Sequence, residues 1–503
     1  MEAEAKDQPI VVGIVVDQLR TDYLEQLRPY FGTKGFNRLF TEGVYFPDID
    51  FKGTVGDAAT GAAVIYTGAW PSVNGVAGAE LIDFSRRQSV PVLAYDAKKS
   101  RVDYTPANLR LSTIGDEFFI NHGNLSKIYS VAGDPQVAVI AAGHAGTSAI
   151  WFDEFTGRWN APAYYGVLPP VIGNKNHTSP LSSKIATTQW RPLFPASHYQ
   201  MGKAWNPGDF SYGYAGANKD SFSKFKTSAP FNTEVTDAAL ELLKSMQTGQ
   251  PGMINLEYTL APVSYDYDGD NRPELIDSYI RLDAELGRLL EAIEKEYGAG
   301  NALVFLTSTG YAREPAIPEK DAKIPTGEIT YKQAESLLNS YLSATFGNAD
   351  YVAQIKNGQL FFDRRTAETK GADVKKLRAA AKEFLLKMSG VSDVVTIDEV
   401  LYSDSRQHSN TVLKINAKTA PDLFITFNPG WDVTDDNVYP PVTEKVRLGT
   451  PPTPAFILSG ELQPDVVTEA VEATALAPTI TSLLRIRAPN GAASKPLTLK
   501  RKF

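Results

Sequence analysis

The sequence has no cysteine among its 503 residues and only five histidines. The missing cysteine excludes disulfides, thiolate catalysis and cysteine-bound metals. It is compatible with an exported bacterial protein. A metal centre rich in histidine would have to use most of the small supply, which consists of His122, His144, His177, His198 and His408.

Long apolar runs and an excess of basic charge are also missing. No segment approaches the roughly 18 consecutive apolar residues of a membrane-spanning helix, so we expect no transmembrane segment. The net charge of -8 and the isoelectric point near 5.4 provide no basic surface for nucleic acid. The polar start, MEAEAKDQ, fits a mature exported chain as well as a cytosolic one. Together with the absent cysteine, it leads us to expect an exported protein.

Three apolar runs have the pattern of buried strands in a parallel sheet: QPIVVGIVVD (8–17), GMINLEYTL (252–260) and NALVFLTS (301–308). A strongly amphipathic segment, PELIDSYIRLDAELGRLLEAIEKEYG, predicts a long helix between the last two. The first run ends in Asp17. Ligands of such sheets bind outside the carboxyl ends of the strands, so Asp17 is a candidate site residue. The same residue also fits the N-cap of the following helix.

Weaker patterns predict further elements. We expect strands over 126–132, 136–142 and 422–427, the last one returning to the main sheet. We also expect helices over 22–42 and 233–246. A loop-rich stretch from 164 to 230 contains many aromatic residues, which fit either a binding surface or the packing of the stretch itself.

The segment 51–78, FKGTVGDAATGAAVIYTGAWPSVNGVAG, is rich in glycine, alanine and threonine. Its second half resembles the segment after the nucleophile in the alkaline phosphatase superfamily. The most similar branch contains the periplasmic phosphate-insensitive alkaline phosphatases and the nucleotide pyrophosphatase/phosphodiesterases. The resemblance continues in AAGHAGTSAIWFDEFTGRW and EATALAPTITSLLRIRAPNGAASKPL, and it covers most of 8–497.

The resemblance implies an α/β fold with a three-layer α/β/α core, a loop-rich insertion and a small α+β insertion. We therefore expect the core to comprise 8–160, 231–315 and 416–500. The loop-rich insertion is expected at 161–230 and the small α+β insertion at 316–415. His144 lies in a matching block, but it is not a ligand in the family pattern, and we expect it to be packed and hydrogen-bonded.

The resemblance also implies a threonine or serine nucleophile and two zinc ions held by three histidines and three aspartates. In register with the family pattern, the nucleophile position is Ala58 and the asparagine that holds a phosphoryl oxygen is Ala79. The substrate-binding Lys-x-Arg pair corresponds to Asp134 and Gln136. The six metal positions are Asp17, Pro262, Asp266, Thr309, Gly310 and Thr453.

These substitutions predict the loss of catalysis. A catalytic zinc ion needs about three side-chain ligands, and neither proline nor glycine supplies one. Phosphate ester hydrolysis requires a barrier reduction of about 20 kcal/mol or more. We therefore expect a catalytically inactive pseudophosphatase with no zinc cofactor, acting as a binding or accessory protein with a protein partner in the periplasm or cell envelope. The alternative is an active metal-dependent phosphomonoesterase or phosphodiesterase with an atypical site.

Three features keep that alternative open. Thr54, Asp57 or Thr60 fits a shifted nucleophile, although these residues also fit ordinary loop and cap positions. The alternating acids Asp266, Asp268 and Asp270 resemble a calcium loop, although they also fit a solvated acidic loop without calcium. Asp17 and Asp266 together also fit the binding of one hard cation such as Mg²⁺.

Overall fold

The computed structural model describes residues 10–84, 88–95, 103–199, 209–246, 249–260, 272–312, 326–402, 409–416, 419–438, 441–446 and 450–502. Their backbone contacts divide the chain into two compact units. One unit comprises 1–79, 91–315 and 451–503, and the other comprises 80–90 and 316–450. They are called the large unit and the small unit below.

The strands of the large unit, in chain order, are β1 (Ile10–Asp17), β2 (Val44–Phe46), β3 (Ile49–Asp50), β6 (Ala94–Tyr95), β7 (Asp103–Tyr104), β8 (Lys127–Ala132), β9 (Ser148–Asp153), β10 (Arg158–Asn160), β11 (Gln189–Trp190), β12 (Tyr212–Gly213), β13 (Gly252–Thr259), β14 (Ala302–Ser308), β22 (Ala455–Leu458), β23 (Asp465–Val466) and β24 (Val471–Glu472). Those of the small unit are β4 (Glu80–Asp83), β5 (Gln88–Pro91, which ends at the unit boundary), β15 (Glu328–Thr330), β16 (Val352–Lys356), β17 (Gln359–Phe362), β18 (Val391–Thr396), β19 (Leu423–Phe427), β20 (Asp432–Asp435) and β21 (Val442–Lys445).

The helices of the large unit are α1 (Thr21–Leu27), α2 (Phe36–Glu42), α3 (Ala58–Thr67), α4 (Pro71–Asn74), α5 (Ile114–His122), α6 (Pro135–Ala142), α7 (Pro170–Thr178), α8 (Leu181–Thr187), α9 (Lys219–Lys226), α10 (Ala229–Ser245), α11 (Arg272–Tyr297) and α17 (Leu476–Leu483). Those of the small unit are α12 (Tyr331–Phe346), α13 (Arg364–Thr369), α14 (Val374–Leu385), α15 (Ile397–Tyr402) and α16 (Ser409–Val412). None of the described helices combines the length and apolar character that a membrane crossing requires.

The large unit is built on a mixed sheet, which contains nine strands in the described residues. Its order is β10-β9-β8-β13-β1-β14-β22-β2-β23. The five strands from β9 to β14 run parallel, so their carboxyl ends meet at one edge. The three predicted apolar runs form β1, β13 and β14, which are neighbours in this order. The prediction of these strands is confirmed.

Side chains of β13 alternate between two covered faces. Ile254, Leu256 and Tyr258 belong to a hydrophobic cluster that includes residues of α10 and α11. On the opposite face, the side-chain amide of Asn255 donates a hydrogen bond to the carbonyl of Ala141 in α6. Helices therefore lie on both faces of the sheet, which confirms the predicted α/β fold with three layers.

The strand predicted over 136–142 is wrong, because these residues form helix α6. Val137, Val139 and Ile140 favour a strand locally. The residues at the start of the segment favour a helix instead. The Asp134 side chain accepts a hydrogen bond from the backbone N–H of Gln136 at 2.7 Å, and Pro135 occupies the first helical position. An aspartate N-cap followed by proline is a strong start for a helix.

Two other segments also differ from the prediction. The helix predicted over 22–42 is interrupted, with α1 and α2 separated by a 3₁₀ turn at Arg28–Tyr30 that contains Pro29. The segment 422–427 forms a strand as predicted. However, it does not return to the main sheet, because β19 pairs with β17 and β18.

The small unit has its own sheets and core. Among its described residues, β16, β17, β19 and β18 form a four-stranded antiparallel sheet. Helices α12 and α14 pack on it through Leu338, Leu342 and Leu377, all of which are fully buried. The buried carboxylate of Asp422 accepts hydrogen bonds from Arg364, Arg378 and the backbone of Phe362.

Candidate active site at the carboxyl edge of the main sheet

Helix α3 begins beside the carboxyl edge, and its N-cap is Asp57. The Asp57 carboxylate accepts hydrogen bonds from the backbone N–H of Thr60 at 2.8 Å and from its hydroxyl at 2.9 Å. The backbone N–H of Ala79 donates a further bond at 3.1 Å. Ala58 is the first residue of the helix, directly after Asp57. The residues predicted at the nucleophile position and at the phosphoryl-binding position are therefore brought together by one carboxylate.

Gln136 extends this arrangement to helix α6. Its side-chain amide donates to the carbonyl of Ala79 at 3.0 Å and accepts from the backbone N–H of Leu93 at 3.0 Å. The side chain is buried. Two of the predicted site residues, Ala79 and Gln136, thus belong to one continuous set of hydrogen bonds with Asp57, which directly precedes Ala58. The amide nitrogen and the amide oxygen of Gln136 therefore both bind backbone groups of the protein.

Asp134 is tied to a second buried carboxylate, that of Glu257 on β13. Glu257 Oε2 accepts hydrogen bonds from the backbone N–H groups of Gly133 at 2.9 Å and Asp134 at 2.8 Å. These bonds fix the turn between β8 and α6 to the neighbouring strand. Glu257 is 7% exposed. Among the described residues, its second oxygen, Oε1, has no hydrogen bond.

The acids at this edge influence one another. Burial raises the pKa of Glu257 well above its ordinary value, and the charges of Asp134 and Asp17 raise it further. Burial also raises the pKa of Asp57, against the opposing effect of its hydrogen bonds from Thr60 and Ala79. The nearby cation is Lys226 at the end of α9, whose ammonium lies 3.3 Å from Glu154. The raised pKa values mean that Glu257 and Asp57 hold a proton more tightly than free side chains of the same type.

Asp17, the last residue of β1, contacts the next strand of the sheet. The hydroxyl of Thr309 donates a hydrogen bond to Asp17 Oδ1 at 3.0 Å. Thr309 is fully buried. The two residues occupy predicted metal positions, and the structure places them in direct contact at the carboxyl edge.

Two other predicted metal positions are occupied by internal contacts. The buried hydroxyl of Thr453 donates to the carbonyl of Ile49 at 3.0 Å. At Gly310, an added Cβ would lie 2.6 Å from the ring of Phe51, so a larger side chain does not fit without moving that ring. Pro262 and Asp266 lie outside the described residues.

We tested whether the residues of this edge fit the two-zinc centre that the resemblance implies. In the described part of the chain, no three histidine, cysteine, aspartate or glutamate side chains are grouped so that they could hold a metal ion. Thr309, Gly310 and Thr453 are not the carboxylate and imidazole ligands that such a centre uses. The described residues therefore do not fit the two-zinc centre. The calcium-loop candidates Asp266, Asp268 and Asp270 lie outside the described residues.

His144 is hydrogen-bonded through both ring nitrogens, as the sequence predicts. Nδ1 lies 3.0 Å from Asp116 Oδ2, and Nε2 lies 2.9 Å from the carbonyl oxygen of Leu109. Both partners are acceptors, so the protonated ring satisfies both. Within the loop-rich insertion, the fully buried Trp190 packs against Phe210 and Tyr212, and its indole N–H donates to Asp277 of α11.

Sequence reasoning missed Glu257 as a site residue. The available signal was a single acid near the carboxyl end of an otherwise apolar strand, GMINLEYTL, which is the same signal that identified Asp17. The family register assigns no role to this position.

The arrangement is that of a known structural class. A crystal structure of wild-type alkaline phosphatase PafA superposes with a TM-score of 0.83 and 24% identity, covering 98% of this chain and 99% of that chain. The fold is therefore the alkaline phosphatase fold. The family model "Type I phosphodiesterase / nucleotide pyrophosphatase" matches residues 11–451, and the chain belongs to this family.

Relatives with assigned names match along nearly the whole chain. Alkaline phosphatase PhoV of Synechococcus elongatus is 26% identical, covering 97% of this chain and 92% of that protein. Alkaline phosphatase PafA of Elizabethkingia meningoseptica is 27% identical, covering 97% of this chain and 94% of that protein.

These relatives overturn the functional interpretation of the sequence. The prediction of a catalytically inactive pseudophosphatase, with a binding role only, is wrong, because PhoV and PafA, two relatives that match along nearly the whole chain, are named as alkaline phosphatases. The prediction that the protein has no metal cofactor was derived from the same interpretation and is wrong for the same reason. Sequence reasoning considered Asp57 only as a shifted nucleophile, and it did not consider Glu257, whose hydrogen bonds to the backbone of Gly133 and Asp134 are visible only in the structure.

Proposed function

We propose that this protein is an active metal-dependent phosphoric ester hydrolase with an atypical site. The proposal rests above all on the end-to-end match to relatives named alkaline phosphatases. The site is atypical because the family's usual nucleophile position is Ala58 and three of its usual metal positions are Thr309, Gly310 and Thr453.

The charge of the site supports a requirement for a cation. Asp17, Asp57, Asp134 and Glu257 all lie at this edge, and the charge of Lys226 acts on Asp134 and Glu257. A phosphate ester is itself anionic and would be repelled by ionised carboxylates. A proton on Glu257, together with a bound divalent cation, would reduce that repulsion while Asp57 stays ionised. We propose the acidic segment 266–270 as the source of the cation's ligands, since its oxygen-rich composition suits a hard cation.

Asp57 is the group that we propose as the general base. It lies directly before the family's nucleophile position, and its carboxylate is held by the backbone N–H groups of Thr60 and Ala79. A carboxylate with a raised pKa is a stronger base than a free one. In this role, Asp57 takes a proton from the water molecule that attacks phosphorus. Thr54 and Thr60 are weaker candidates for a nucleophile, because both hydroxyls are buried and donate to acceptors within the chain.

The test is hydrolysis of an aryl phosphate and an aryl phosphodiester by the purified protein, with and without added Zn²⁺, Mg²⁺, Mn²⁺ or Ca²⁺. We expect turnover of at least one ester with at least one of these cations, and loss of that turnover in a chelator. Background rates under every condition would refute the proposal. Elemental analysis of the protein as purified identifies the cation that it carries.

The variant Asp57→Asn isolates the proposed base. Asparagine caps helices as well as aspartate does, so the fold should survive. Loss of a general base reduces turnover by about 10²-fold or more. Asp220→Asn is the matched control, because Asp220 is an exposed acid in the first turn of α9. Equal rates for wild type and Asp57→Asn would remove Asp57 from the mechanism.

We also propose that the protein is exported to the periplasm or cell envelope. The absence of cysteine and the similarity to PhoV and PafA support this proposal. Fractionation of cells that produce the protein should recover it with periplasmic markers. Recovery only with cytoplasmic markers would contradict it.

A further inference from the structure

Glu257 is a buried acid that has no part in the proposed attack of water on phosphorus. Hydrogen bonds hold only one of its two carboxylate oxygens. Oε2 accepts the two backbone N–H groups of Gly133 and Asp134, whereas Oε1 has no hydrogen bond to any described residue. A carboxyl group anchored through one oxygen can present the other, with its proton, in a constant direction.

The location of Glu257 suits contact with a substrate. It lies two residues before the end of β13, in the central part of the main sheet, and pairs in register with Val15 of β1. The turn that it anchors carries Asp134, which corresponds to a substrate-binding position in the family register. Asp134 is also within electrostatic range of the proposed base Asp57.

We infer that Glu257 is a catalytic acid, which donates a proton from Oε1 to the leaving oxygen of the phosphate ester. This inference rests on the proposed function. In the reaction, the oxygen of a water molecule forms a bond to phosphorus while its proton passes to Asp57. The bond between phosphorus and the leaving oxygen breaks, and its electron pair stays on that oxygen, which takes the proton of Glu257. The products are an alcohol and phosphate, and solvent returns a proton from Asp57 to Glu257.

The groups around Glu257 favour the protonated form of its carboxyl group. The charged and titratable groups that face it are Asp134 on the β8–α6 turn, Asp17 at the end of β1, Lys226 on α9 and Tyr66 on α3. Burial and the two aspartates raise the pKa of Glu257, and Lys226 opposes them. The carboxyl group is therefore protonated over a wider pH range than a free glutamic acid.

The dependence of rate on the leaving group tests this role. Alkoxides and phenoxides of high pKa leave poorly without a proton, whereas a dinitrophenolate needs none. In Glu257→Gln, we expect kcat/KM for phenyl or alkyl phosphates to fall by about 10²-fold or more, the usual contribution of a general acid. The same variant should hydrolyse 2,4-dinitrophenyl phosphate at nearly the wild-type rate. In addition, the decline of kcat/KM with rising pH should appear in wild type with poor leaving groups and vanish in the variant.

Glu234→Gln is the control, because Glu234 of α10 is also a buried acid but pairs with Lys184 of α8. It should leave the leaving-group dependence unchanged. An equal loss on all esters in Glu257→Gln would show a purely structural role and overturn the inference, while the proposed function would stand. Background rates of wild type on every ester would instead refute the proposed function itself.

A measurement on the wild type keeps the inference testable without any variant. Its pH profile should decline at high pH for phenyl phosphate and remain flat over the same range for 2,4-dinitrophenyl phosphate. Identical profiles for the two esters would overturn the role of Glu257 as an acid.

Discussion

Thr309 and Asp17 are joined by a hydrogen bond of 3.0 Å between neighbouring strands of the main sheet. The donor is the buried threonine hydroxyl, and the acceptor is the carboxylate at the end of β1. The bond connects two positions that the family register assigns to metal ligands. In this chain it contributes to the local structure of the carboxyl edge.

Thr309→Val should therefore destabilise the fold. Valine matches the shape of threonine but removes the donor, and losing one partner of a buried hydrogen bond costs about 1–3 kcal/mol. The midpoint of urea unfolding should fall accordingly. Thr178→Val is the control, since the exposed Thr178 hydroxyl bonds only to the preceding turn of its own helix. A Thr309→Val midpoint equal to that of the control would contradict the prediction.

The pair of His144 and Asp116 predicts a pH-dependent stability. The hydrogen bond to Asp116 raises the pKa of His144, although burial opposes it. A raised histidine pKa gives stability that is fully present below the unfolded value of about 6.5 and is lost as the pH rises through the folded pKa. Because His144 is partly exposed, we expect a loss of no more than about 1 kcal/mol between pH 6 and pH 9. His144→Gln should reduce this dependence, as measured by urea unfolding at both pH values.

His122 provides a control of opposite sign. Burial alone lowers its pKa, so its contribution favours folding at high pH over low pH. His122→Gln should therefore make the decline between pH 6 and pH 9 steeper. A flatter decline in His122→Gln, or an unchanged one in His144→Gln, would contradict these assignments.

Gly310 should tolerate no larger residue. Its φ of 78° lies in the left-handed region, and an added Cβ would lie 2.6 Å from the ring of Phe51. Gly310→Ala therefore combines backbone strain with steric overlap, and we expect a loss of about 2–4 kcal/mol in the free energy of unfolding. Gly53→Ala separates the two effects, because Gly53 has a φ of 61° but, apart from its chain neighbours, no described residue has an atom within 4 Å of an added Cβ. Equal losses at the two sites would show that the contact with Phe51 is unimportant.

The small unit offers a matched pair of arginines around the buried carboxylate of Asp422. Arg378 is 12% exposed and also bonds to Asp398, whereas Arg364 is 47% exposed. Arg378→Met should cost about 1–3 kcal/mol, because it leaves a buried carboxylate with fewer partners. Arg364→Met should cost less than about 1 kcal/mol, as is usual for exposed ion pairs. Thermal unfolding of both variants measures which substitution lowers the stability more. A larger loss of stability in Arg364→Met than in Arg378→Met would contradict the prediction.

Much of the core was predictable from local pattern. The apolar runs at β1, β13 and β14 are long and continuous, and a buried parallel strand is the arrangement that covers both faces of such a run. The long helix α11 followed from its one-sided apolar stripe. By contrast, residues 136–142 were assigned to a strand, because their β-branched side chains carry a stronger local signal than the cap formed by Asp134 and Pro135. The strand at 422–427 was identified correctly, but its partners were not, since pairing depends on residues far away in the chain.

The amino-acid sequence by itself determined the three central strands β1, β13 and β14 and the family to which the chain belongs. Only the tertiary structure revealed that Glu257 lies beside Asp134, that Asp57 binds the backbone of Ala79 and that Thr309 contacts Asp17. The physical reason is that hydrophobic periodicity is a local property of the chain, whereas an acid becomes a candidate for catalysis through burial and neighbours that distant segments supply.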